Sequence, residues 1–115
     1  MSRPAGLEKR LGHQFSDRRL LEQALTHRSR SADNYERLGF LGDGVLGCAV
    51  ADELYPRFPQ LPEGKPTRLR ASLVREEMLA EIGRELGLGA LLRLGEGEAA
   101  AGPEPRPSIL ADALE

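Results

Sequence analysis

Apolar residues recur along this chain at helical spacing, and nowhere do they alternate with polar ones over the length of a strand. Leu7 to Leu11 predicts a short first helix, stopped by Gly12. Ser16 is placed to cap a second helix running to about Leu25, with Leu20, Leu21, Ala24 and Leu25 as its buried face. A third helix is expected from its cap at Asp33 to about Tyr55, where Pro56 and Pro59 end it. Glu36 lies three residues beyond Asp33, the spacing of a capping box. Phe58 to Pro66 is a proline-rich loop. Thr67 then opens a long helix to about Leu86, carrying Leu69, Leu73, Ile82 and Leu86 at helical spacing, with Gly87 as its C-terminal cap. Leu88 to Leu94 predicts one more short helix, and Gly95 to Pro107 a flexible loop. Ser108 begins a last apolar stretch, Ile109 to Leu114. The fold expected is all-α, one domain over residues 1–115, and a last helix of barely two turns suggests a domain cut short.

Composition narrows this picture only a little. The 115 residues suffice for one core, 40% are hydrophobic, and no apolar run is long enough for a membrane span. The N-terminus has no apolar signal core, which makes the cytoplasm the expected location. Cys48 is the one cysteine and cannot form an internal disulfide; buried packing is its expected role. The net charge of -2 and the 4% aromatic content exclude a domain that binds nucleic acid by bulk charge or by a base-stacking platform.

The candidate chemistry lies in carboxylates. Residues at i, i+3 and i+7 of a helix share one face, and Glu36, Gly39 and Asp43 have that spacing. Leu38, Leu41, Val45 and Cys48 point elsewhere and are expected in the core. Asp112 and Glu115 are again i and i+3. Should these two helices pack together, their oxygens would suit a hard divalent ion such as Mg²⁺ or Mn²⁺, which supports phosphodiester hydrolysis. The spacing fits a second reading equally: Glu36 as the partner of Asp33 in a capping box, and Asp112 with Glu115 as a solvated face.

The segment Asn34-Tyr35-Glu36-Arg37-Leu38-Gly39-Phe40-Leu41-Gly42-Asp43-Gly44-Val45-Leu46 resembles the ribonuclease III signature, Asn-x-Glu-Arg-Leu-Glu-Phe-Leu-Gly-Asp-x-Val-Leu. The similarity extends to Ala24-Leu25-Thr26-His27-Arg28-Ser29, to Leu69-Arg70-Ala71-Ser72-Leu73-Val74, and to Ser108-Ile109-Leu110-Ala111-Asp112-Ala113-Leu114-Glu115. It implies an all-helical homodimer that cuts double-stranded RNA with Mg²⁺ and processes rRNA, tRNA and mRNA precursors. By this resemblance Asp43, Asp112 and Glu115 are metal ligands, Asp43 and Glu115 are catalytic, and Glu36 and Glu63 stand at outer acidic positions. Phe40 matches an aromatic that packs into the partner subunit. His27 and Arg28 belong to a recurrent box, where a structural hydrogen bond is the expected role of His27. Gly39 departs from the pattern: it stands where the family has a glutamate ligand. An alternative implied by that gap is a catalytically impaired relative that binds RNA or assembles in a ribonucleoprotein. Family members continue past the position of Glu115, and bacterial ones add a double-stranded-RNA-binding domain, which this chain lacks.

Overall fold

A computed structural model describes residues 4–115. Among them are eight helices and no strand: α1 (Pro4–Leu11), α2 (Arg18–Ala24), α3 (Glu36–Arg57), α4 (Lys65–Leu73), α5 (Glu76–Glu85), α6 (Leu88–Leu91), α7 (Glu96–Ala100) and α8 (Pro107–Leu114). The all-α expectation holds. Gly12 and Gly87 follow α1 and α5 with φ of 69° and 76°, left-handed values that glycine adopts at least cost.

Several boundaries differ from those expected, each for a local reason. Asp17, not Ser16, caps α2, its side chain accepting from the Arg19 amide. The Asp33–Glu36 capping box does not form. Instead the Asn34 side chain accepts from the Glu36 amide at 2.9 Å, so the helix begins later. Pro56 is held within the last turn of α3, which ends at Arg57. The long helix from Thr67 to Leu86 is two helices, because Arg75 is extended (ψ 158°). α4 packs against α3 while α5 packs most extensively against α8, so one straight rod could not serve both. The loop from Gly95 to Pro107 contains the short helix α7. The segment expected to be helical to Leu94 stops at Leu91, after which Arg93 forms a parallel bridge with Thr26.

The core gathers Leu7, Leu21, Leu25, Leu79, Ala80, Leu88, Leu110 and Ala111, with Leu46 packed on its edge. α8 runs through its middle. Ile109 and Leu110 are the largest side chains that are wholly buried. Leu20, expected inside, is exposed. The larger correction concerns α3. Leu41, Val45 and Cys48 were expected in the core and lie in solvent, with Phe40 beside them at 86% exposure. α3 has apolar residues on more than one side, and the side bearing Leu46 and Leu54 is the one that turns inward. The radius of gyration of 15.5 Å exceeds the roughly 13–14 Å of a compact domain this size. The excess reflects a 22-residue helix standing partly clear of the core.

Truncating the most enclosed side chain tests this arrangement. Leu110→Ala is expected to destabilise the domain by about 2–5 kcal/mol, read as a lower denaturant midpoint at unchanged slope. A loss below that range would mean α8 is not the centre of the core.

Candidate active site

The loop before α3 is pinned before the helix begins. The His27 amide donates to the Arg93 carbonyl (3.0 Å), the Arg93 amide to Leu25 (2.8 Å), and the Tyr35 amide to Thr26 (3.0 Å). The Ser29 hydroxyl accepts from the Gly95 amide at 2.9 Å and lies 2.8 Å from His27 Nδ1. His27 Nδ1 also lies 3.1 Å from the Ser29 amide, which donates to it. His27 is buried and packs edge-on to Tyr35, 5.9 Å between centroids, which accords with the structural role expected of it. These bonds orient the first turn of α3 relative to the rest of the chain.

α3 then meets the end of α8. A Cβ on Gly42 would collide with the backbone carbonyl of Glu115, so this glycine is what lets the two helices touch. The contact brings Tyr35, Glu36, Gly39, Phe40, Asp43, Asp112 and Glu115 around one open cleft of about 370 Å³. Glu36, Asp43, Asp112 and Glu115, expected to converge from two helices, therefore do so. Glu63 does not join them: it is exposed in the loop between α3 and α4. Tyr35 escaped the sequence reading, although it stands inside the quoted signature beside Glu36. Arg106 and Ser108 escaped as well; with His27, Arg28, Tyr35, Glu36, Ile109 and Asp112 they line an adjoining cleft of about 180 Å³.

The electrostatics record like charges held close. Burial pushes the Glu115 carboxyl up from 4.5 to about 7, reinforced by its hydrogen bond with Asp43 and by the charges of Asp43 and Asp112. Asp112 is raised by burial, an effect that His27 partly offsets. The Tyr35 hydroxyl is pushed up to about 12, by burial first and then by Asp112. Glu36 makes a long ion pair, 3.9 Å, to the exposed Arg28.

The donor set is all oxygen, and the proton that Glu115 retains toward neutral pH marks charge that a hard cation would neutralise. To that extent the residues fit a divalent ion. Among the described residues, however, no three His, Cys, Asp or Glu side chains are close enough to form a ligand shell as they stand. Gly39 lines the same cleft and contributes no ligand. It has space for one: the nearest atom to a Cβ placed there is the Asp112 carbonyl oxygen at 3.9 Å, an ordinary contact.

Comparison with known proteins places this geometry. The family described as Ribonuclease-III-like matches residues 17–115. Ribonuclease 3 of Thiobacillus denitrificans is 63% identical over 111 residues, covering 96% of this chain and 49% of that protein. Ribonuclease 3 of Dechloromonas aromatica is 61% identical over 107 residues, covering 93% and 48%. The chain thus spans about half the length of the curated relatives it matches. A crystal structure of the nuclease domain of ribonuclease III from Campylobacter jejuni superposes with a TM-score of 0.92 at 42% identity, covering 99% of this chain and 78% of that one. A second structure of that domain, described for flexibility in a region involved in dimer formation, gives 0.91 at 42% identity, covering 96% and 78%.

The raised Glu115 carboxyl has a measurable signature. The folded state keeps the Glu115 proton to a higher pH than the unfolded chain does, so the stability it contributes is present below pH 4.5 and is lost as pH rises toward about 7. Without divalent ions, the melting temperature of the wild type relative to Glu115→Gln is expected to fall across that window and level off above it. A difference that stays flat from pH 4.5 to 8 would mean that Glu115 does not retain its proton in the folded state.

Proposed function

The chain belongs to the ribonuclease III-like family, and on that premise we propose that it is the endonuclease domain of a cytoplasmic enzyme that hydrolyses double-stranded RNA in ribosomal, transfer and messenger RNA precursors. The observation that carries this reading is the meeting of Asp43 on α3 with Asp112 and Glu115 on α8 in one cleft. Asp43, Asp112 and Glu115 would hold Mg²⁺ or Mn²⁺, with Glu36 as an outer carboxylate. When bound, that ion supplies Lewis acidity toward a phosphodiester. Glu115 holds the proton that must leave before the cleft is fully anionic, so competence rises with pH toward and beyond about 7. Tyr35 stays a neutral hydroxyl throughout that range and forms one wall.

Gly39 supports a second reading. The cleft lacks a carboxylate at the position the family signature assigns to glutamate, which weakens ion binding and favours a poorly cleaving relative that binds RNA. The two readings separate on one comparison. On a long RNA duplex with Mg²⁺ or Mn²⁺, Gly39→Glu is expected to cut faster than wild type by about tenfold or more, since a ligand should matter at least as much as an outer-shell partner does. If neither protein cuts while both bind the duplex, the enzymatic reading fails and the binding reading stands.

We further propose that the working form is a homodimer. Leu41, Val45, Cys48 and Tyr55 of α3 are all exposed and fall at steps of four, three and seven residues, a seam of the kind helices bury against one another. Phe40 stands next to this seam. Exposed aromatic and aliphatic residues in such a continuous line mark an interaction surface. Phe40→Asp is expected to convert the dimer to monomer in sedimentation velocity while leaving the circular dichroism unchanged. A wild-type protein that is already monomeric at high concentration would refute the dimer.

A further inference from the structure

We infer that Arg28 and Arg106 form a phosphate-holding subsite that seats the RNA backbone next to the acidic cleft, an assignment that rests on the duplex-RNA reading above. The need for such a subsite follows from charge. The acidic cleft is lined by Glu36, Asp43, Asp112 and Glu115 and by no cation. The protein as a whole carries a net charge of -2, so no long-range field draws a polyanion toward it. Attraction has to be local, and the adjoining cleft is where the cations stand.

The two clefts share Tyr35, Glu36 and Asp112 as a common wall. Arg28 and Arg106 both act on the Tyr35 hydroxyl, their charges opposing the rise that burial imposes, so both guanidinium groups lie near that wall. Arg106 is the N-cap residue of α8, and its guanidinium is ion-paired. Its Nε and Nη2 donate to the two carboxylate oxygens of Glu98 at 3.3 and 2.8 Å, which leaves the Nη1 amine free of a partner among the described residues. Arg28 is looser, exposed, and 3.9 Å from Glu36, beyond hydrogen-bond distance. Ser108 completes the set with a hydroxyl at the start of α8. Two guanidinium groups beside a hydroxyl form a donor array that matches a phosphate in charge and geometry. The cleft volume of about 180 Å³ suits a phosphate with part of its ribose and is too small for a base pair. Sequence is therefore not read here; the backbone is positioned.

Phosphate contacts have a distinctive readout in the salt dependence of binding. With EDTA present so that no bond is cut, the affinity of the chain for an RNA duplex is measured against KCl concentration for wild type, Arg28→Gln, Arg106→Gln, the double variant and Glu98→Gln. Each arginine replacement is expected to weaken binding and to lower the slope of log affinity on log salt by about one, the double variant by about two. Glu98→Gln breaks the same ion pair but keeps the Arg106 charge, so its slope is expected to match wild type. The inference is overturned if the double variant keeps the wild-type slope, or if Glu98→Gln loses as much slope as Arg106→Gln, because the arginine would then be structural. A wild-type chain that binds no duplex overturns this inference together with the function proposed above. A wild type that binds, with slopes insensitive to both arginines, overturns the inference alone.

Discussion

Burial of α8 is the constraint on which the rest of the molecule depends. Ile109, Leu110 and Ala111 are among the most enclosed of the described residues, and Leu110 and Ala111 share one core with residues of α1, α2, α5 and α6. Removing three consecutive apolar residues from water fixes the axis and rotation of a helix only two turns long. That rotation sends Asp112 and Glu115, on the remaining side, toward α3. The site thus inherits its geometry from the core, and two carboxylates that would repel each other in solution are held in place by hydrophobic packing that neither of them supplies.

The cost of that placement appears in the protonation of Glu115. A carboxyl pushed up to about 7 by burial and by Asp43 signals a cleft that is unstable when fully anionic and empty. Proteins concentrate such perturbed groups where chemistry is done. Gly39 reduces the cost, because it leaves a fifth carboxylate out of the same cleft, and it reduces the gain from a cation for the same reason. The backbone at that position is ordinary helix with open space in front of it, so the scaffold that would carry the missing side chain is intact.

Much of this was legible in the chain itself. Helical periodicity revealed the all-α class, and the i, i+3, i+7 spacing of Glu36, Gly39 and Asp43 placed them on one face. Convergence with Asp112 and Glu115 followed from the resemblance and not from spacing, since no local pattern says which helices pack together. The miss at Leu41, Val45 and Cys48 has a clear cause. α3 is apolar on several sides, and periodicity cannot tell a face turned to the core from one kept for a partner. Arg75 breaks a run that reads as continuous helix because α4 and α5 have different packing partners, which is a tertiary fact. Tyr35 went unnoticed because its role comes from standing beside Asp112, far from it in sequence, and Arg106 because its place in the adjoining cleft comes from the packing of α8.

The divalent-cation site proposed for this cleft, short of one ligand at Gly39, is open to a direct measurement. Calorimetric titration with Mn²⁺ above pH 7, on wild type, Asp43→Asn and Gly39→Glu, tests it without reference to RNA. Weak binding by wild type is expected, with loss in Asp43→Asn and tightening of at least about tenfold in Gly39→Glu. Affinity unchanged by both substitutions would contradict the account, because the ion would then be held elsewhere on the protein.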